Sequence, residues 1–375
     1  NWPPSCVVDT QLVLEGLVML NSINLLRTLS CFAILIFHIR EFVHAHSDTV
    51  HLAFSAAPGF HLFLAISGFI LVYITQPHDT PMNFMLKRTV RIVPLYWTAT
   101  TLALGMALLK PWLFQDADTS LSSIISGYLF LPHYDLGADI QPILFVGWTL
   151  GYIMLFYLLF SLTLFVPEQY QIPSAILMTL GVIAGAHLLP NGAYREFYGD
   201  PILVEFAMGC IIGLILRQSH VQDFVRRTPM WPFVLIGLAG FALAMKLDWE
   251  GWGKIATYAP PSALLVFACA GQDLFRQSLK NKMVSVGGQI SYGIFLIHPL
   301  LISLVGVAAF NITGNDWVAT ALMFVVIIPL TTVLAYLSFR YFETPSNTWL
   351  RRTLRLSNKP PKSVRQVQIP SQPGT

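Results

Sequence analysis

Long apolar stretches recur along the whole chain and are separated by short polar segments. Each stretch has about 17 to 25 residues, the length of a helix that crosses a hydrocarbon core of roughly 30 Å. Outer-membrane strands alternate polar and apolar residues, whereas the run from Ala321 to Leu330 is apolar at every position. The pattern therefore predicts an all-α fold, a polytopic membrane protein built as a bundle of about ten transmembrane helices. The ten predicted spans are residues 23–43, 57–75, 90–109, 143–166, 174–190, 201–217, 231–246, 256–271, 288–309 and 318–341.

The composition indicates a lipid environment. Of the 375 residues, 55% are hydrophobic and only 11% are charged, and the mean hydropathy is +0.62. Soluble domains carry about 25% charged residues, so the composition excludes an ordinary soluble protein, and no separate soluble domain is apparent. The net charge of +3 is too small to indicate a nucleic-acid partner.

The distribution of Lys and Arg predicts the orientation. If the N-terminus is cytoplasmic, 16 of the 22 basic residues fall in cytoplasmic segments, and Arg27 lies at the inner end of the first span. The other side receives only Arg40, Lys110, Arg195, Lys246 and Lys254. Because cytoplasmic loops are enriched in Lys and Arg, both termini are predicted to be cytoplasmic.

The two ends of the chain differ from the rest. Residues 1–18 are weakly patterned and predict an N-terminal extension, with Met19 as the expected native start. No cleavable signal peptide is expected, because the first strong apolar run contains Arg27 and His38 and lacks a small-residue cleavage site. Residues 19–350 form the predicted transmembrane domain. Residues 351–375 are basic and Pro-rich, and they predict a disordered cytoplasmic tail close to anionic lipid.

Ionisable side chains inside the spans are candidates for function, because burying them in a membrane is costly. Arg27 and His38 are eleven residues apart, which places them within roughly 20° of one helical face and about 16 Å apart along the axis. A neutral core histidine bonded to a backbone carbonyl is the alternative for His38. Arg88 and Arg91 stand at i and i+3 and suit a phosphate group, although snorkelling to lipid head groups explains them about as well.

Other polar groups in the spans have weaker signals. They are Ser67, Trp148, Glu205, Ser291, Tyr292 and His298. Solvation near the outer interface also explains Glu205, and close helix packing also explains Ser67 beside Gly68. No metal site is expected, because His44, His46 and His51 have no acidic residue at a ligand spacing. Cys6, Cys31, Cys210 and Cys269 are interpreted as small buried hydrophobes.

Five motifs follow one another along the chain. They are Arg27-X10-His38, the stretch from Phe63 through Ser67-Gly68 to Phe69, Arg88-X2-Arg91 with Pro94, Trp148-Thr149-Leu150 followed by Phe156-Tyr157-Leu158, and Ser291-Tyr292 with His298-Pro299. In this order the motifs resemble those of the acyltransferase 3 family of integral-membrane acyltransferases, over about residues 22 to 350. Within that family the chain is most similar to the exopolysaccharide and O-antigen acetyltransferase branch.

The resemblance implies a reaction and its partners. An acyl group, usually acetyl, would pass from cytoplasmic acetyl-CoA or another acyl-CoA to a hydroxyl group of a glycan at the outer face of the bacterial inner membrane. The expected partners are the acyl-CoA, the glycan acceptor and membrane lipid, and neither a metal nor a nucleic acid is expected.

The resemblance also implies roles for residues. Arg88 and Arg91 would hold the CoA phosphates, and Arg27 would add a third positive charge or orient the pantetheine. His38 would be the general base, because an imidazole titrates near neutral pH, or it would carry the acyl group covalently. Ser67, Trp148 and Tyr157 are alternative donors to the oxyanion. Glu205 and His298 are expected to support the site.

Two positions depart from the family pattern. Ile153 stands five positions after Trp148, where the family usually has an acidic residue, and His61 stands where relatives commonly have Asp. Glu205 substitutes for the missing carboxylate only if the fold brings it close to the catalytic histidine. Two other functions stay open, the first because ten spans with Arg and His inside them also suit a transporter, and the second because Ile153 replaces the usual acidic residue. One is a transporter or flippase for a lipid-linked glycan, for which no inverted repeat is seen, and the other is a catalytically silent scaffold of a polysaccharide assembly complex.

Overall fold

Each predicted apolar segment contains a helix, although some helices begin earlier than predicted: the helix Pro81–Leu109 begins nine residues before the predicted start. The structure is a computed structural model that describes residues 20–52, 58–75, 79–114, 117–247, 249–279 and 281–356. Within these ranges the chain is helical, and the only strand pairing is an isolated bridge between Tyr134 and Ile140. The all-α prediction is confirmed. The predicted extension at residues 1–18, the expected start at Met19, Cys6 and the tail from residue 357 onwards lie outside the described residues.

Fourteen α-helices are described. In chain order they are α1 (Asn21–His46), α2 (Pro58–Ile74), α3 (Pro81–Leu109), α4 (Leu121–Tyr128), α5 (Gly147–Thr163), α6 (Glu168–Ala186), α7 (Ala193–Tyr198), α8 (Val204–Ile215), α9 (Ser219–Arg227), α10 (Trp231–Leu247), α11 (Gly251–Phe275), α12 (Lys282–Thr313), α13 (Asp316–Ser338) and α14 (Thr344–Thr353). Pro111–Leu113 and Pro201–Leu203 form 3-10 turns, and a π-helix, Phe339–Glu343, joins α13 to α14.

Local sequence signals define several helix ends. Thr80 caps α3 by accepting a hydrogen bond from the backbone N–H of Asn83, and Pro81 follows at the first helical position. The break between α12 and α13 uses two adjacent residues. Gly314 adopts a left-handed φ of 57° that ends α12, and the side chain of Asn315 accepts from the N–H of Val318 to start α13.

The number of spans differs from the prediction of about ten. In the described part of the chain, five helical segments are long and apolar enough to cross a membrane: Asn21–His46, Pro81–Leu109, Ala193–Ile215, Lys282–Thr313 and Asp316–Thr353. A sixth is added if α9 and α10 count as one broken span, but the two meet at a bend of 96°. The apolar helices α2 and α5 have only 17 residues, about 25 Å at 1.5 Å per residue. The structure is therefore a helical membrane protein with five or six candidate spans.

The first helix lies at the centre of the bundle. It packs against α2, α11, α12 and α13. Its first turn is bound to the end of α11, because the carboxylate of Asp273 accepts from the backbone N–H groups of Ser22 (2.8 Å) and Ile23 (3.1 Å) and from the Ser22 hydroxyl (2.7 Å). Past its other end, the Ser47 hydroxyl donates to Asp316 of α13 at 2.6 Å. The helix that carries Arg27 and His38 is thus held at both ends.

Helices α2 and α8 cross at very short range. A Cβ atom placed on Gly68 would overlap the backbone carbonyl of Phe206, and one on Gly209 would overlap that of Ala65. Only glycine allows two helix backbones to approach in this way. The crossing fixes α8, and with it Glu205, against the helix that carries His61.

Candidate active site

Arginines from three helices gather at one end of the bundle. The charge of Arg91 acts on Arg27 of α1 and on Arg88, its neighbour on α3. Arg351 of α14 joins them, and its charge interacts with both arginines of α3. We call Arg27, Arg88, Arg91 and Arg351 the arginine cluster, and this end of the molecule the arginine end. Three of the four arginines were predicted to act together.

The cluster is partly enclosed by aromatic rings. The Arg88 guanidinium lies 5.1 Å from the ring centroid of Phe84 and 5.6 Å from that of Tyr157. Arg27 donates to the backbone carbonyl of Gly288 and lies 3.4 Å from the Asn24 side-chain oxygen. The Nε atoms of Arg27 and Arg88 are buried and have no hydrogen-bond partner in the described part of the chain. These donors are available to an anion.

His38 and His298 stack on each other farther along the bundle. Their ring centroids are 5.4 Å apart and the ring planes differ by 20°. Phe145 packs edge-on against His38 at 4.8 Å, and Phe295 lies 6.1 Å from His298. We call His38 and His298 the histidine pair. Eleven residues of α1 separate His38 from Arg27, about 16 Å along the helix axis.

The two histidines have different hydrogen bonds. Nδ1 of His298 lies 3.0 Å from the carbonyl oxygen of Ile294, and a carbonyl only accepts, so Nδ1 carries the proton. In the neutral ring, Nε2 of His298 is then an acceptor, and it is buried without a partner among the described residues. His38 is half-buried and makes no hydrogen bond to any other described residue. The backbone-bonded arrangement considered for His38 is found at His298 instead.

The predicted carboxylate lies with a different histidine. Oε1 of Glu205 is 2.6 Å from Nδ1 of His61, and both side chains are buried, with 0% and 1% of their surface exposed. The Tyr258 ring stacks on His61 at 4.5 Å. Oε2 of Glu205 has no partner in the described part of the chain. Glu205 therefore pairs with the unusual histidine at position 61, and among the described contacts none joins it to His38.

The remaining candidates are spread over the bundle. The Ser67 hydroxyl donates to the Phe63 carbonyl of its own helix at 2.8 Å. Trp148 packs against Phe60 at 4.6 Å and lines a cleft together with Tyr96, Phe130, His133 and Phe197. The ring of Tyr157 lies 5.6 Å from the Arg88 guanidinium, beside the arginine cluster. Trp148 follows three residues after Phe145, which packs against His38. The oxyanion roles of Ser67, Trp148 and Tyr157 stay predictions.

Position 153 is filled by apolar packing. Ile153 of α5 is 3% exposed and belongs to the hydrophobic core of the bundle. The described residues hold no group of three or more His, Cys, Asp or Glu side chains that suits a metal ion. Of the described cysteines, Cys31 and Cys210 are buried and Cys269 is half-buried.

Two features were missed in the sequence. Arg351 was assigned to the start of a disordered tail, but it lies in the last turns of α14. The helical signal was present in Trp349-Leu350 before the basic pair. The pairing of His61 with Glu205 joins residues 144 positions apart, and no local pattern indicates it.

A comparison with known proteins identifies the family. A family model described as an acyltransferase domain matches residues 20–340. The exopolysaccharide production protein ExoZ of Rhizobium meliloti is 30% identical over 306 residues, which cover 80% of this chain and 93% of that protein.

Two further relatives are more distant. The O-acetyltransferase OatA of Staphylococcus aureus is 24% identical over 319 residues, which cover 76% of this chain but only 52% of that protein. Nodulation protein 10 of Rhizobium leguminosarum bv. viciae is 22% identical over 364 residues, 87% of this chain and 93% of that protein. No solved structure matches the chain.

Proposed function

The chain belongs to the acyltransferase 3 family and is an O-acyltransferase, and from that premise we propose its donor, its acceptor and its site. The donor is acyl-CoA, with acetyl as the transferred group. The acceptor is a hydroxyl group of a cell-surface or exported polysaccharide, or of its lipid-linked precursor. The names of ExoZ, an exopolysaccharide production protein, and of OatA, an O-acetyltransferase, support this choice.

One observation carries the proposal. Helix α1 presents Arg27 to the arginine cluster and His38 to the histidine pair, about 16 Å apart along its axis. The cluster suits the phosphates of CoA, which are multiply charged. The histidine pair supplies ring nitrogens that can take a proton. A donor bound by its phosphates at the arginine end extends its pantetheine arm along α1 and presents its thioester to the histidine pair.

The reaction needs one proton transfer and one bond exchange. His38 removes the proton from the acceptor hydroxyl as its oxygen attacks the thioester carbonyl carbon. The C–S bond then breaks, and the CoA thiolate leaves and takes up a proton. His298 supports this step by packing against the His38 ring and by its unpartnered Nε2, which is a second acceptor in the same pocket. Trp148 is the proposed oxyanion donor, since the Ser67 hydroxyl is already bonded within its helix.

The proposed orientation follows from charge. The start of α1 and the end of α14 both contribute to the arginine cluster, so the two ends of the described chain lie on one side of the molecule. Lys and Arg are enriched in cytoplasmic segments. We place the arginine end in the cytoplasm of a bacterium, where acyl-CoA is found, and the protein in the inner membrane.

The test is acyl transfer by the purified, reconstituted protein. Radiolabelled acetyl-CoA and a lipid-linked glycan fraction are supplied to the wild type, to His38→Ala and to His46→Ala, an exposed histidine on the same helix. We expect label in glycan from the wild type and His46→Ala, and a loss of at least about 100-fold in His38→Ala.

Three results would contradict the proposal. Full activity of His38→Ala would remove the general base. Movement of glycan across the vesicle without label would identify a transporter, and retention of glycan assembly in cells that carry His38→Ala would identify a scaffold.

A further inference from the structure

The last described helix brings a fourth guanidinium group to the arginine end. Helix α14 follows the π-helix directly and packs against α3, which carries Arg88 and Arg91. Arg351 is half-buried there, and its Nε donates to the side chain of Asn347 at 2.7 Å, one turn earlier on the same helix. Its neighbour Arg352 is exposed. The two adjacent arginines therefore differ in position, and only Arg351 faces the cluster.

The π-helix holds α14 in this place. Phe339–Glu343 packs against α3 and α12, and π-helical turns are rare and occur frequently at functional sites. Its last residue, Glu343, lies close to Gly293 of α12, where an added Cβ would be 3.3 Å from Oε1. The irregular turn thus sets both the carboxylate of Glu343 and the guanidinium of Arg351 against the cluster.

Among the residues that the structure describes, the arginine end carries more positive than negative charge. Of the carboxylates that act on the cluster, Asp79 also binds Lys87, and Glu343 acts on Arg91. Four guanidinium groups face these two carboxylates, and one of the carboxylates is shared with Lys87. Like charges in a partly buried site repel one another unless an anion lies among them. The Nε atoms of Arg27 and Arg88, which are buried without a hydrogen-bond partner among the described residues, are two further donors that suit an anion at this place.

We propose that Arg351 binds a phosphate group at the nucleotide end of the acyl-CoA donor. This inference rests on the proposed function. The arginines of α3, one turn apart, match the two linked phosphates of the CoA diphosphate. CoA carries a further phosphate on its ribose, and a guanidinium group binds such a dianion through two parallel hydrogen bonds. Arg351 is the additional guanidinium that the structure places beside the α3 pair.

The experiment compares adjacent arginines in a defined membrane. The full chain is reconstituted in neutral phosphatidylcholine vesicles, and kcat and KM for acetyl-CoA are measured for the wild type, Arg351→Ala, Arg351→Lys and the matched control Arg352→Ala. We expect Arg351→Ala to raise the KM for acetyl-CoA at least about tenfold with kcat little changed, because one charge-assisted contact is lost. Arg351→Lys should recover part of the loss, and Arg352→Ala should match the wild type.

A second donor locates the contact. If the penalty of Arg351→Ala disappears with acetyl-3′-dephospho-CoA, Arg351 binds the ribose phosphate, and if it persists, Arg351 binds the diphosphate. Equal KM values for Arg351→Ala and Arg352→Ala would overturn the proposal. So would a penalty that appears only when phosphatidylglycerol is added, because the partner would then be a lipid head group.

The proposed function is tested separately in the same set. If the wild type transfers nothing from acetyl-CoA, the proposed function fails. Binding of adenosine 3′,5′-bisphosphate to the wild type and to Arg351→Ala, measured by calorimetry, then still tests the phosphate contact. Thermal unfolding of each variant in detergent identifies a variant that does not fold, and Arg351→Lys keeps the comparison informative in that case.

Discussion

The histidines inside the bundle differ in whether a neighbouring group bonds to their ring nitrogens. Nδ1 of His61 is hydrogen-bonded to Glu205, and Nδ1 of His298 is hydrogen-bonded to the Ile294 carbonyl of its own helix. His38 makes no such bond in the described part of the chain, and the Nε2 of His298 is unpartnered. At the residue scale, the histidine pair is therefore distinguished from His61 by its available nitrogens. This difference supports the assignment of proton transfer to the pair and of a structural role to His61.

The buried contact between His61 and Glu205 predicts a change in stability. Removing the imidazole leaves the Glu205 carboxyl group buried with neither oxygen bonded, since Oε2 already lacks a partner among the described residues. We expect His61→Leu to lower the free energy of unfolding by about 3–5 kcal/mol. The double variant His61→Leu/Glu205→Leu should lose less than the single one, because no polar group is then stranded. Thermal unfolding in detergent measures both, and a double variant that is less stable than His61→Leu would contradict the argument.

Sequence predicts the members of the site better than their partners. Arg27, Arg88 and Arg91 could be grouped because each stands at the cytoplasmic end of a predicted span. Arg88 and Arg91, three residues apart, also lie on one face of their helix. Glu205 could not be assigned to His61, since the contact depends on the close crossing of α2 and α8. Arg351 was missed because a π-helix lets the chain remain helical beyond the apolar run.

At the element scale, the close crossing of α2 and α8 predicts that a methyl group added at the crossing costs stability, whereas one added on an open helix face does not. A Cβ on Gly68 would overlap the Phe206 carbonyl, whereas one on Gly105 of α3 would have no atom within 4 Å. We expect Gly68→Ala to destabilise the protein by about 1–3 kcal/mol or more, and Gly105→Ala to be neutral or stabilising by up to about 1 kcal/mol. The measurement is the unfolding midpoint of the two matched variants in one detergent. Equal midpoints would show that the helices separate to accept the methyl group.

The hydropathy pattern predicts where helices lie, but it does not predict their lengths or the bends between them. All ten apolar segments contain a helix, because a run of apolar side chains is stable only when its backbone bonds within itself in an apolar environment. Length is set by caps and loops, so α2 and α5 ended at 17 residues. The 96° bend between α9 and α10 was also invisible in the sequence. Arg276, just past the end of α11, donates to three backbone carbonyls at and beyond the end of α9, and no local pattern indicates these long-range contacts.

At the scale of the whole molecule, the arrangement predicts which surfaces share a side of the membrane. Arg352 lies at the arginine end, and Leu136, which is 71% exposed, lies between α4 and α5 at the opposite end. We expect a membrane-impermeant maleimide applied to intact spheroplasts to label Leu136→Cys and not Arg352→Cys. Lysis should expose the second site. Labelling of both positions from outside would contradict the orientation.

The contacts of α1 have a consequence for biosynthesis. Apart from α2, the helices that α1 packs against are α11, α12 and α13, which are synthesised late in the described part of the chain, and the first turn of α1 can bind Asp273 only once α11 has been made. Contacts between such distant parts of a chain form late, after the loop between them has been closed. Until α12 has been inserted, Arg27 therefore lacks its hydrogen bond to Gly288, and His38 lacks its contact with His298. The helix that carries Arg27 and His38 is thus synthesised before most of the helices that pack against it, and a chain that stops before α12 lacks the contacts of α1 with α12 and α13.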